Sequence, residues 1–202
     1  MAKEALPFIV PLALSAFIFF LFGVEFGGYI SLGLSLFVAY FFRDPERMVS
    51  PDSTAIVSPA DGKVVSIWAE KDGMTRISIF LSLFNVHINR SPIAGKVEMV
   101  NYRPGKFKVA LDEKASLENE QNVLVIGNGS HQIKFSQIAG ILARRIVCWK
   151  KEGDWVEKGE RIGLIKFGSR VDIFLPRDIA LVVSLGDKVK GGSTIIGRFV
   201  HV

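Results

Sequence analysis

The chain has 202 residues, which suits one domain or one domain with an appendage, and its one cysteine excludes a disulfide framework and a thiolate metal cluster. The net charge of +5 favours an anionic membrane surface, but no run of Arg or Lys interleaved with aromatics points to nucleic acid. Hydrophobic residues make up 49% of the chain, and the excess is concentrated near the amino terminus.

No charged residue occurs from Ala5 to Val24 or from Phe26 to Phe42, and only Glu25 separates the two runs. About 20 apolar residues span a bilayer core. Each run is near the short end of that range, and Pro7, Pro11, Gly27, Gly28 and Gly33 are expected to bend them. The pattern predicts a helical hairpin turning near Glu25 to Tyr29. A secretory signal would explain only the first run, and no clear small-residue cleavage site follows it. A buried helix pair in a soluble protein is the other reading. Lys3, Arg43 and Arg47 flank the hairpin, so both ends should lie on the cytoplasmic face of the cell membrane. Residues 1–47 thus read as a membrane-associated hairpin with a basic flank.

From residue 48 to 202 the texture is β-rich. "KVVSIWA", "TRISIFLS", "GKVEMVNY", "NVLVIG", "QIKFSQI", "RRIVCWK", "RIGLIKF", "RVDIFLP", "ALVVSL" and "STIIGRFV" are short strand-like runs bounded by turn residues. The polar stretch "FKVALDEKASLENEQN" reads as a loop or short helix with a solvated face. Cys148, inside "RRIVCWK", reads as a buried, inert thiol.

Two internal repeats stand out. "SPADGKVV" (58–65) recurs as "SPIAGKVE" (91–98), and "GDWVEKGERIG" (153–163) recurs as "GDKVKGGSTIIG" (186–197). In the second pair Asp can bond within its own turn while Gly supplies positive φ. These paired signals resemble the half-motifs of barrel-sandwich-hybrid folds, the architecture of biotinyl and lipoyl carriers. The predicted fold class is mainly β, a barrel-sandwich-hybrid-like domain behind a hydrophobic helical hairpin. A carrier role is disfavoured, because no lysine sits in a Met-Lys-Met setting.

Metal binding has little support: His87, His131 and His201 are the only histidines, and no two are at i, i+4 spacing. What remains is sparse. Asp61, in "VSPADGKV", reads as a turn residue or an acid. His87, in "FLSLFNVHINRSP", reads as a satisfied rim histidine or a base. In "IGLIKFGSRVDIFLP" the dipeptide Gly168-Ser169 interrupts strand-like sequence, where glycine is normally avoided; Ser169 alone would read as a bend or bulge. Together these three side chains make up the inventory of an activated serine.

"FFRDPER", "SPADGKV", "FLSLFNVHINRSPIAGKV", "LENEQN", "QIAGILARRIV" and "GERIGLIKFGSRVDIFLP", in that order and over nearly the whole chain, resemble the short form of the phosphatidylserine decarboxylase family. The resemblance implies a proenzyme that cuts itself between Gly168 and Ser169, leaving a long β chain (1–168) and a short α chain (169–202). Ser169 would become a pyruvoyl group, the covalent cofactor, and no metal or external cofactor would be needed. His87, oriented by Asp61, is the implied base. The ketone would form a Schiff base with the amine of the phospholipid substrate and act as an electron sink for decarboxylation. Relatives with H-x-x-H-x-P carry a second histidine where "HINRSP" has Arg90, which is instead a candidate to hold the substrate carboxylate or phosphate. A second Gly-Ser pair, Gly192-Ser193, falls inside the repeated turn and is passed over for Ser169. Archaetidylserine, with the same headgroup, is an alternative substrate. A non-catalytic, membrane-tethered β-sandwich module is the alternative outside enzymes. The partners implied are the chain's own two fragments and a lipid in the membrane; whether a homo-oligomer forms is left open.

Overall fold

Apolar side chains that cannot satisfy themselves along one strand must be stacked between layers, and eight of the fourteen strands among the described residues have five residues or fewer. A computed structural model describes residues 1–106, 118–140, 145–166 and 168–200. The stretch 107–117, which holds most of the polar segment expected as a loop or short helix, lies outside the described residues. The chain divides into two units, Met1–Glu46 and Arg47–Val202.

The first unit is a helical hairpin. After a short 3-10 turn (Lys3–Ala5), α1 runs over Leu6–Leu21 and α2 over Glu25–Phe41. Lys3–Leu21, 19 residues, is long and apolar enough to cross a membrane by length and composition; α2 is apolar but shorter. The turn sits earlier than the expected Glu25 to Tyr29. Gly23, at φ +71°, ends α1, and the Val24 N–H bonds back to Phe19 O at 2.8 Å. Glu25 then falls in the first turn of α2, where a carboxylate meets the positive end of the helix. A Cβ on Gly28 would stand 2.5 Å from the Phe20 ring, so the missing side chain is what lets the helices approach.

The second unit is mainly β, as its alternating runs predict. Its strands, in chain order, are β1 (Ala55–Val57), β2 (Gly62–Ala69), β3 (Thr75–Leu81), β4 (Ile88–Arg90), β5 (Gly95–Arg103), β6 (Gln121–Gly127) and β7 (Gln132–Ala139). They continue as β8 (Ile146–Cys148), β9 (Trp155–Val156), β10 (Arg161–Ile165), β11 (Ser169–Leu175), β12 (Ile179–Leu181), β13 (Lys188–Val189) and β14 (Ile195–Phe199). An eight-stranded sheet has the order β13-β2-β3-β11-β7-β6-β5-β9, and two three-stranded sheets are ordered β1-β14-β12 and β4-β10-β8. Ile77, Ile79, Val171, Ile173, Phe135 and Leu124 lie fully buried on one face of the large sheet. Each such side chain contributes about 1.5–3 kcal/mol relative to exposure.

The sequence repeats are also repeats of structure, and they pair crosswise. Gly62 and Lys63 of β2 face Val189 and Lys188, while Gly95 and Lys96 of β5 face Val156 and Trp155. Val64 N–H bonds to Asp187 O and Val97 N–H to Asp154 O, each at 2.8 Å. Gly192 N–H bonds to Ser58 O and Gly159 N–H to Ser91 O, again at 2.8 Å. Ser58 and Ser91 each turn a hydroxyl onto the carbonyl two residues ahead, Ala60 O at 2.7 Å and Ile93 O at 2.6 Å. The equivalence extends backward. Arg90 N–H bonds to Pro59 O at 2.9 Å and Val57 N–H to Pro92 O at 3.0 Å, so β4 and β1 are counterparts.

Candidate active site

The dipeptide Gly168-Ser169 lies where the chain passes from one sheet to another. β10 ends at Ile165 in the small sheet with β4 and β8; β11 begins at Ser169 in the middle of the large sheet. The two strands flanking the dipeptide are therefore not a hairpin pair. Gly168 has φ +55°, the left-handed region that suits glycine, and a Cβ there would meet nothing within 4 Å. A glycine also carries no side chain of its own beside its carbonyl carbon. Ser169 is different: it is 0% exposed, held between Leu81 of β3 and Ala139 of β7. Its Oγ has no hydrogen-bond partner among the described residues. A buried hydroxyl left in that state costs about 1–3 kcal/mol, which is a reason to look for chemistry.

His87 is 3% exposed and stands immediately before β4. Its Nδ1 lies 3.0 Å from Asn85 O, and since a carbonyl can only accept, Nδ1 carries a proton, which in the neutral ring leaves the lone pair on Nε2. The His87 carbonyl accepts from Ile165 N–H at 3.3 Å, which ties the histidine's backbone to the strand leading into Gly168. The ring is thus aligned by a backbone carbonyl. Asp61, the aligner that the resemblance implies, has these contacts of its own. Arg47 Nη2 donates to both oxygens, at 2.7 and 3.0 Å, and Gly191 N–H donates to Oδ1 at 2.8 Å. Asp61 is thereby fixed to the second repeated turn, with its expected turn geometry and an ion pair together.

Arg90, 5% exposed, donates from Nη1 to Gly159 O at 2.9 Å, and a Cβ on Gly192 would stand 2.7 Å from its Cδ. The guanidinium therefore packs between the two repeated turns. Gly192, at φ +76°, sits inside its turn, and Ser193 N–H bonds to Lys190 O at 3.1 Å. Cys148, partly buried, gives its thiol proton to Lys150 O at 3.2 Å, and burial pushes its pKa up, away from nucleophilic use. No group of three or more metal-ligating side chains occurs among the described residues.

The sequence reading missed a line of buried amides. Asn122 Nδ2 donates to Gln137 Oε1 at 2.9 Å, and Gln137 Nε2 donates to Asn89 Oδ1 at 2.8 Å. This line links β6 and β7 of the large sheet to β4 of the small one. The signal was present in the repeat: aligning "SPADG" with "SPIAG" sets Asn89 against Ile56, a polar residue against an apolar one.

Comparison with known proteins decides the family. The phosphatidylserine decarboxylase family model matches residues 34–197. The chain belongs to the phosphatidylserine decarboxylase family. A phosphatidylserine decarboxylase proenzyme of Desulfotalea psychrophila is 45% identical over 98% of this chain and 96% of that protein. One of Syntrophus aciditrophicus is 42% identical over 98% and 97%, and one of Chlorobium chlorochromatii is 51% identical over 81% and 80%. The match to the family model runs across Asp61, His87, Arg90, Gly168 and Ser169, the five candidate site residues.

Proposed function

We propose that this decarboxylase acts on phosphatidylserine, releasing carbon dioxide and phosphatidylethanolamine, and that it first makes its own cofactor by cutting the Gly168–Ser169 bond. The observation that carries the reading is the junction itself: a glycine in a left-handed conformation, followed by a fully buried serine whose hydroxyl has no partner among the described residues. Ser169 Oγ adds to the Gly168 carbonyl carbon while His87 Nε2 takes the hydroxyl proton. The C–N bond then breaks, the nitrogen receives that proton, and an ester remains. Loss of the Ser169 α-proton expels the Gly168 carboxylate and leaves a dehydroalanine, which water converts to a ketone and ammonia.

The residues present fit a pyruvoyl group at position 169. Ser169 supplies the atoms, its neighbours Leu81, Ala139 and Val171 are apolar and buried, and β11 starts there, so a new terminus would fall at the beginning of a strand. When formed, the ketone supplies an electrophile for the substrate amine and a sink for the electron pair released with carbon dioxide. His87, with its lone pair on Nε2, is the group suited to move a proton at the carbon that loses carbon dioxide. The contacts of Asp61 favour a positioning role: with Arg47 and Gly191 it holds the repeated turn. Arg90 makes a similar clasp through Gly159 O, and any hold on the substrate would be in addition to that. The apolar hairpin supports attachment to the membrane that carries the substrate.

The test is intact mass of the purified full chain. Wild type gives two fragments, 1–168 and 169–202, the smaller with a ketone in place of its amino terminus; Ser169→Ala gives one chain and no carbon dioxide from phosphatidylserine vesicles. A Ser169→Ala protein that still splits at 168/169 overturns the reading.

A further inference from the structure

Asn89 is fully buried in β4, and its side-chain amide is only half used. Its Oδ1 accepts from Gln137, whose own carbonyl is held by Asn122, while its Nδ2 has no hydrogen-bond partner among the described residues. Buried amide donors are nearly always satisfied, so an unmatched one calls for an acceptor that the resting chain does not present.

The register shows where that acceptor would form. Gln137 lies opposite Val171 and Ala139 opposite Ser169, so Gln137 and Ser169 are diagonal neighbours on the same, inward face of the large sheet. Asn89 is tied to that diagonal neighbour. His87 is two residues before Asn89, and the pairing of β4 with β10 continues past Ile88 through the Ile165 N–H bond to His87 O, so the two side chains leave the chain on the same side. The proposed base and the unmatched donor thus face one way, toward the strand that starts at Ser169. Two orphan polar atoms, Asn89 Nδ2 and Ser169 Oγ, belong to this one region of the core.

The internal repeat supplies a control that separates chemistry from architecture. Asn89 pairs with Gly163, and its counterpart Ile56 pairs with Gly197, each beside a register shift in the same place. Ile56 is fully buried within the apolar core. The same short strand, opposite the same residue type, is therefore built with an apolar side chain in one half. The fold does not require an amide here.

We propose that Asn89 Nδ2 is the hydrogen-bond donor to the oxygen of Gly168 as that oxygen becomes negative during self-cleavage. The inference rests on the self-cleavage reading above. When the Oγ–C bond forms, the carbonyl electron pair moves onto oxygen and the hydroxyl proton goes to His87 Nε2; Asn89 transfers nothing and donates one hydrogen bond. The Gln137 contact holds its oxygen away so that the N–H side is presented.

The experiment follows cleavage of the full chain, made by cell-free synthesis in the presence of phosphatidylglycerol–phosphatidylethanolamine vesicles, by denaturing gel and intact mass over time. Asn89→Ile borrows the residue of the counterpart strand, and Asn89→Leu replaces it in the assay if that variant is degraded. Removing one such donor slows the step on the order of 100-fold. The expected result is a folded variant, with a melting curve close to that of Ser169→Ala, that cleaves about 100-fold more slowly than wild type. Its slowly processed fraction should then decarboxylate phosphatidylserine at near the wild-type rate. Cleavage within about threefold of wild type overturns the assignment, where the donor is expected to matter on the order of 100-fold. Normal cleavage with slow decarboxylation also overturns it, as does an equal slowing of both steps, because each moves the amide to the lipid reaction. If wild type itself stays whole, the underlying reading fails rather than this one.

Discussion

Ser169→Ala should make the uncut protein more stable, the reverse of the usual result of truncating a buried side chain. The comparison belongs in a His87→Ala background, in which both chains are expected to stay whole. Ser169 is 0% exposed and its hydroxyl has no partner among the described residues, so the wild-type side chain carries a desolvation penalty of about 1–3 kcal/mol. Deleting the oxygen leaves a void of roughly one atom, worth roughly 0.3 kcal/mol at about 24 cal/mol per Å³. The net gain is about 0.7–2.7 kcal/mol, or roughly 1–11 °C in Tm for a domain of this size. Denaturant midpoints read by tryptophan fluorescence, at fixed detergent, measure it. A loss of stability of about 1 kcal/mol or more would mean that the hydroxyl is satisfied in the folded chain. The argument for a poised nucleophile would then fail.

Three further outcomes follow from the same geometry. Gly168→Ala, tested in the Ser169→Ala background, meets no clash but must hold an alanine at φ +55°, so it should lose about 1–2 kcal/mol in a denaturant melt. Arg47→Met strips the bidentate partner from Asp61, whose side chain is 12% exposed, and should cost about 2–4 kcal/mol. Adding Asp61→Asn, which keeps an acceptor for Gly191 N–H, should recover part of that loss by the same measurement. The pKa of Glu160 is held below the usual carboxylate range although burial opposes it, because a hydrogen bond from Lys150, the Glu157 N–H and the Lys150 charge together outweigh burial. A carboxyl depressed in the folded state stabilises the fold above its unfolded pKa and loses that contribution as pH falls. Stability should therefore drop between about pH 5 and 3, and the drop should be shallower in Lys150→Met, as read by acid titration of the denaturant midpoint.

Much of the strand content was legible because alternation and turn residues are local signals. β3, β6, β7 and β11 lie within a residue or two of the runs "TRISIFLS", "NVLVIG", "QIKFSQI" and "RVDIFLP". β1 and β4 were missed because each has three residues, too few for a period, and is fixed by pairing with β14 and β10 from far along the chain. The hairpin turn was placed a few residues late: Glu25 looked like the exposed apex, whereas Gly23 breaks the helix and Glu25 starts the next one. For the site, Gly168-Ser169 could be read from a glycine out of place in strand sequence and from family likeness. The partners of Asp61 could not: Arg47 is 14 positions away and Gly191 130, and spacing says nothing about which carboxylate a guanidinium will reach. Asn85 was invisible for another reason, since it aligns His87 with a backbone carbonyl that every residue owns.

The strands that follow Ser169 are woven through those that precede it. β11 lies between β3 and β7, β13 borders β2, and β14 lies beside β1. Scission at 168/169 would therefore yield a tail that cannot drift off: three of its four strands are laced to the other fragment, and letting go means unravelling both. A protein built this way can survive losing a main-chain bond at its centre and keep a freshly made terminus indoors. It should also reassemble from separately produced halves, like a split reporter.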